Sequence, residues 1–466
     1  MKCIKYITAI LFSLMILLPI LAFNTQPNAV SEIDNRMLTE NPFSAEAREN
    51  SEDLTEDIEN YVNDRIGFRD DMILNYTLLN DKLFGKMVHP TYSYGKDGYV
   101  FAAGLTTAAD TYSDFHEKFA DMVKQAQDYC VQRGVPFVFV FEPVKPAVLP
   151  EYLPQGLNYS RAWVDRFFEA LDQRGVRYVD NTETLRERTE QGEVVFNQKY
   201  DANHWNDLGA YYGVNAILEE LQKDFPSLQT NDLQDFVVGE KLETSLPVSL
   251  FPIHEFVPAI DLQTHGLVNL TDRYADELEL HPSYRAFGYY VNPEKAAAGA
   301  PRGLVFQGSY MNKFGYRYMS HALGENIFIH DYQNILNLPY YFGIFQPDCV
   351  VFEVAEYTFS KTYFSYDRMS ALDWNPSLSE AARQYPAQDQ SPLPEDQIFV
   401  QQGQTLTRID WQTDEIYDYV WLVVDGVTYD MYSAESGYQT TVLADGFSQS
   451  QIQIVAASGE TLTYLR

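Results

Sequence analysis

An acid, an imidazole and an indole crowd one turn of this sequence. In "VVFNQKYDANHWNDLGAYYGVNAILEEL" an apolar run gives way to a polar stretch holding Asp201, His204 and Trp205, and an amphipathic helix pattern follows. A carboxylate three residues before an imidazole can reach one ring nitrogen and leave the other free to take a proton. That arrangement suits a satisfied loop, a metal site, or the acid and base of a catalytic triad. The zinc spacings C-x-x-C and H-E-x-x-H do not occur in the chain, so no metal is expected. A triad needs a nucleophile, and "GLVFQGSYMNKFGYRYM" offers one. Ser309 follows an apolar strand pattern and Gly308, and a helix pattern follows it. A hydroxyl there sits by free backbone N–H groups at the positive end of a helix, which suits oxyanion binding by the amide of Tyr310. Chain order is no obstacle, because triads are defined by geometry.

The elements that must position these groups alternate between helix and strand. Phe115, Phe119, Met122, Val123, Ala126 and Cys130 share a helix face, Gly134 ends it, and "VPFVFVFEP" reads as a buried strand delivering Glu142 and Lys145. Trp163, Phe167 and Leu171 mark a second helix, and Leu208 to Leu221 a third. The strands "GLVFQ", "NIFIH" and "CVVFEV" then come with helices between them. Such units predict a mostly parallel sheet covered by helices on both faces, with sites at the carboxyl ends of strands. Residues 225–300 are proline-rich and less regular and read as an insertion. Beyond Asn375 the period changes to short alternating runs split by glycine turns, the pattern of a small C-terminal all-β sandwich.

The formal charge of -33, from 66 Asp and Glu against 33 Lys and Arg, opposes nucleic acid and anionic surfaces, so no nucleic-acid partner is expected. At the N-terminus Lys2 and Lys5 precede an uncharged apolar run from Tyr6 to Phe23 with no A-x-A box after it. This predicts a signal anchor with the bulk of the chain outside the cell membrane, or else a cleaved signal peptide and a secreted protein.

The quoted blocks, with "YVNDRIGFRD" and "LFGK…YSYGKDGYVF", resemble the SGNH-hydrolase-like family that includes the alginate O-acetyltransferases AlgX and AlgJ and the bacterial DHHW proteins. The likeness spans roughly residues 30–360. It implies an SGNH-like, flavodoxin-like α/β domain with a permuted motif order, His204 as base and Ser309 as nucleophile. It also maps Lys145 onto a lysine that follows a proline-rich strand end, as a substrate contact; the residue by itself reads as a surface lysine. Relatives often carry the acid two residues before the histidine, where this chain has Ala202, and read Asp-Ser-Phe where it has Gly308-Ser309-Tyr310. The acyl donor in this family is usually handed over by a membrane-bound acyltransferase, and no cofactor is implied.

The expected organisation is an anchor or signal over 1–23, a linker over 24–50, a catalytic domain over 51–375, a linker over 376–394 and an accessory β-sandwich over 395–466. The expected activity is O-acetylation of an extracellular polysaccharide through Ser309, His204 and Asp201. An esterase using the same triad and a non-catalytic polysaccharide-binding protein are the alternatives. Asp207 is expected to cap the helix that follows it. Trp205 is expected to be buried against that helix with an edge near His204.

Overall fold

The computed structural model describes the chain except for residues 1, 28, 32, 34–35, 45–52, 107–110, 158, 248, 263–265 and 445–451. Seven strands build the central sheet: β1 (Phe137–Glu142), β2 (Tyr178–Asp180), β3 (Val268–Asn269), β4 (Phe287–Val291), β5 (Arg302–Gln307), β6 (Glu325–His330) and β7 (Cys349–Ala355). Their spatial order is β2-β1-β7-β5-β6-β4-β3. The first five run parallel, and β4 and β3 close one edge antiparallel.

The strand period of two assigns each side chain to a face. Phe137, Phe139 and Phe141 of β1 enter a core built with the helices Asp114–Gln132, Ala162–Gln173 and Leu338–Phe345. Val138 and Val140 enter a second core with Asp207–Leu221 and Tyr316–Ala322. In β7, Phe352 joins the first core and Val351 the second. A strand buried on both faces has no polar side, which is why these segments read as continuous apolar runs.

Residues 225–300 correct the expectation of an insertion lying over the sheet. They supply a long hairpin, Val237–Ser245 with Pro252–Asp261, and also the two antiparallel edge strands of the sheet itself. The stretch 24–50 is not a loose tether in its described part. Val30–Ser31 pairs with Arg36–Met37, and Ile33 and Leu38 are buried. The Arg65 guanidinium donates to the carbonyls of Gln26 and Thr39, at 2.7 Å each, and so binds this stretch down. Residues 45–50 of the expected linker lie outside the described residues.

The C-terminal unit is a separate eight-stranded sheet: β8 (Ala387–Ser391), β9 (Ile398–Gln402), β10 (Leu406–Gln412), β11 (Tyr419–Val424), β12 (Val427–Ala434), β13 (Gly437–Leu443), β14 (Ile452–Ser458) and β15 (Thr461–Leu465). Its order is β8-β15-β14-β11-β12-β13-β10-β9. The sheet curls, so Ile409 and Val442 from one end share a core with Leu422 and Ile454 from the other, as the two layers of a sandwich do. The expected linker 376–394 belongs to this unit. Its helix Leu378–Gln384 covers Trp421 and Val455, and β8 adds a parallel edge strand to β15. The unit docks on the α/β domain through Asp430, which accepts from Tyr129 Oη at 2.9 Å and pairs with Arg133 at 3.0 Å.

Candidate active site

The carboxyl ends of β1, β5 and β7 and the turn before the helix Asp207–Leu221 converge on one place. Asp201 is the first element of the geometry. Its φ is +58°, a left-handed conformation that Asp tolerates because its short side chain bonds its own turn. Oδ1 accepts from the backbone N–H of His204 at 3.0 Å and lies 2.9 Å from His204 Nδ1. Burial works against its charge, but the His204 ring, its hydrogen bonds and Lys313 prevail and hold the carboxyl well below the usual range.

His204 Nε2 lies 2.9 Å from Ser309 Oγ and 3.3 Å from Tyr357 Oη. Tyr357 Oη in turn lies 2.6 Å from Ser309 Oγ. The hydrogen directions follow from chemistry. A carboxylate only accepts, so Nδ1 carries the proton towards Asp201, and in neutral imidazole Nε2 must then accept. Ser309, the nearer hydroxyl at 2.9 Å against 3.3 Å, is assigned as the donor to Nε2, and Tyr357 then donates to Ser309. Burial pushes the Tyr357 hydroxyl above its usual range, which keeps that donor in place.

Ser309 follows β5 and opens a helical segment, so its amide and that of Tyr310 lie in a first turn with no preceding helical carbonyl to bond. Tyr310 packs its ring edge-on against both His204, at 5.0 Å, and Trp205, at 5.3 Å. Trp205 is buried, and its Nε1 donates to the Tyr310 carbonyl at 2.8 Å. The indole also lies on the helix expected to hold it, since a methyl at Gly213 would meet Trp205 Cζ3 at 2.1 Å. It is Tyr310, between the two rings, that touches the imidazole.

Asp207 does not cap its helix. The neighbouring Asn206 side chain accepts from Gly209 N, while Asp207 turns inward to Arg317, at 2.7 Å, and to Tyr318. Lys145 is neither at the surface nor open to a substrate. It is fully buried, and Nζ donates to the carbonyls of Val100, at 2.7 Å, and Gln198, at 3.1 Å. Burial lowers its ammonium to about 7. Its place is structural: it ties the hairpin at Val100 to the loop that leads into Asp201.

Residues 93–270 match the family model described as an SGNH hydrolase-like domain, acetyltransferase AlgX. The α/β domain is SGNH-like and resembles that of AlgX. The match contains Asp201 and His204, and Ser309 lies beyond it. No curated protein matches the chain. Among solved structures, the O-acetyltransferase domain of Pseudomonas putida AlgJ is 16% identical with a TM-score of 0.42, over 60% of this chain and 98% of that one. Bacillus cereus PatB1 is 14% identical with a TM-score of 0.45, over 57% and 95%. Pseudomonas aeruginosa AlgX is 12% identical with a TM-score of 0.40, over 79% and 94%.

Within this SGNH-like domain, Tyr357 is the site residue that sequence reasoning missed. Its signal was present: it stands two residues past the apolar strand "CVVFEVA". The preceding Glu356 anchors that strand end, accepting from Tyr159 Oη at 2.9 Å and pairing with Arg161 at 3.3 Å. Among the described residues no group of three or more His, Cys, Asp or Glu side chains is arranged to hold a metal ion.

Proposed function

We propose that the protein is an exported O-acetyltransferase that esterifies hydroxyl groups of a cell-surface or extracellular polysaccharide. One observation carries the reading: Ser309 Oγ, His204 Nε2, His204 Nδ1 and Asp201 Oδ1 form an unbroken hydrogen-bonded line with 2.9 Å at both links. The matched family model, named for an acetyltransferase, supports the choice of acyl transfer.

In the proposed reaction Ser309 Oγ attacks the acetyl carbonyl as His204 Nε2 takes its proton. The carbonyl electrons move to oxygen, and the backbone N–H of Tyr310 binds the oxyanion. The leaving group departs with the proton from His204, leaving acetyl-Ser309. A sugar hydroxyl then attacks that ester, His204 takes its proton, and Ser309 regains it as the acetyl group leaves on the sugar. Asp201 holds the imidazole in the one tautomer that allows these steps. Tyr357 donates to Ser309 Oγ in the resting site and stays beside the reacting oxygens as the serine attacks.

The polysaccharide, the export and the donor belong to the same proposal. The N-terminal helix has one segment, Ile4–Leu21, with the length and composition of a membrane-crossing helix or a signal sequence. A membrane-bound acyltransferase is the proposed source of acetyl groups.

The test is incubation of the purified chain with an acetyl donor ester, with and without oligosaccharide acceptors. Acetylated sugar together with an acetyl adduct on Ser309, trapped by mass spectrometry and lost in Ser309→Ala and His204→Ala, is the expected result. Free acetate alone, at a rate no acceptor changes, would make the protein an esterase. No adduct and no turnover would refute the catalytic reading.

A further inference from the structure

Three carboxyl groups are buried beneath the turn that carries Ser309, and the proposed mechanism uses none of them. Glu142 ends β1, Glu353 lies on β7, and Asp331 follows β6; all three are fully buried. The strand period puts Glu142 and Glu353 on the same face as Val140 and Val351, the side of Trp205 and Tyr310. β5 runs between β7 and β6, so the turn at its end passes between Glu353 and Asp331.

Gly308 is where Glu353 and Asp331 meet the chain. Its N–H donates to Glu353 Oε2. On its other side, a methyl group built on Gly308 would come within 3.1 Å of Asp331 Oδ2. The amide immediately before Ser309 is thus fixed by a side chain from the neighbouring strand, in a space where a methyl at 308 would press on Asp331.

We propose that Glu353 is a positioning residue: by taking the Gly308 N–H it fixes the turn that presents Ser309 Oγ to His204. This rests on the reading of Ser309 as the nucleophile. The groups that face Glu353 define how it can do so. Glu142 and Asp331 are acids, with His330 Nδ1 at 3.0 Å from Asp331 Oδ1, and Tyr332 and Tyr357 are neutral phenols nearby. Among the described residues no cation is paired with Glu353, and its Oε1 has no hydrogen-bond partner. Burial first, then Glu142 and Asp331, push its carboxyl well above the usual range. An uncharged acid still offers a carbonyl oxygen to Gly308, and it adds no negative charge beside the oxyanion.

An uncharged amide of the same shape can do the same job, and a shorter acid or an apolar side chain cannot. The experiment measures kcat, KM and thermal unfolding of the full chain with p-nitrophenyl acetate, for the wild type and for Ser309→Ala, Glu353→Gln, Glu353→Asp and Glu353→Leu. Glu353→Gln is expected to keep kcat within about threefold. Glu353→Asp and Glu353→Leu are expected to lower kcat by about 100-fold with KM little changed, because a misplaced nucleophile costs rate rather than binding. If Glu353→Leu does not fold, the contrast of Gln with Asp decides. Equal kcat in the Asp and Gln variants, or a loss in all three that follows their unfolding temperatures, would overturn the proposal while leaving Ser309 intact. Full turnover in Ser309→Ala would instead overturn the nucleophile reading on which it rests.

Discussion

The hydroxyl of Tyr357 stands 2.6 Å from Ser309 Oγ, closer than the imidazole of His204 at 2.9 Å. The serine therefore has a donor on one side and an acceptor on the other. A donor already in place at the reacting oxygens needs no reorganisation as charge develops there. Tyr357→Phe should lower kcat by about 10- to 100-fold, within the range for losing one such donor. KM and the unfolding temperature should move little. An unchanged kcat in steady-state assays would reduce Tyr357 to a packing role.

Asp201→Asn should lower kcat by about 10³- to 10⁴-fold, because an amide in that place favours the wrong imidazole tautomer. The same substitution has a signature in stability. The folded carboxyl sits below its unfolded value, so its contribution is present above pH ~4 and is lost as pH falls below that. Acid unfolding curves followed by circular dichroism should show a shallower loss below pH ~4 in Asp201→Asn than in the wild type.

Lys145 predicts the opposite limb. Its folded value of about 7 lies below the usual 10.5. Between these values the unfolded chain binds a proton that the folded chain does not, so stability rises with pH across this window. The cost of the buried lysine is greatest below pH ~7 and fades towards ~10. Lys145→Met should remove that slope in denaturant titrations from pH 7 to 10. It also leaves the carbonyls of Val100 and Gln198 without their donor, for a loss of about 1–3 kcal/mol at the alkaline end.

Trp205 links stability to the site through Tyr310. Trp205→Phe removes the 2.8 Å bond from Nε1 to the Tyr310 carbonyl and part of a buried ring. A loss of about 1–3 kcal/mol should appear in unfolding, with a smaller fall in kcat, because Tyr310 rather than Trp205 touches the imidazole. Gly213→Ala pushes a methyl into the same indole and should destabilise by about 1–3 kcal/mol. If either variant lost kcat with no change in unfolding, the indole would be a positioning group first.

Much of the α/β core was legible because burial imposes a period. Phe139 and Val140 alternate between two cores, and the apolar runs of β1, β5 and β7 carry that requirement openly. The pairing of carboxylate and imidazole was legible for a related reason: Asp201 and His204 share one turn, so spacing alone brings them together. Edge strands were harder to see. β3 and β4 lie in a proline-rich stretch where β4 pairs with β6 and β3 with β4, and local composition does not reveal either pairing. The stretch 376–394 carries the polar residues of a linker, yet its few apolar positions suffice for a helix over Trp421 and an edge strand on β15. Lys145 was misjudged because a lysine's burial depends on carbonyls far away in the chain, at Val100 and Gln198.

By itself the sequence determined what local spacing and periodicity can encode: the alternating elements, the change of period after Asn375, and a carboxylate within reach of an imidazole. Tertiary structure alone decided which distant groups share that place. Ser309 arrives 105 residues after His204 and Tyr357 a further 48 after Ser309. Glu353 reaches Gly308 from 45 residues away. The physical reason is that a parallel sheet orders its strands by crossover connections, so β1, β7 and β5 become neighbours although the chain makes them far apart. Contacts between the ends of such strands depend on that order, and no local pattern records it.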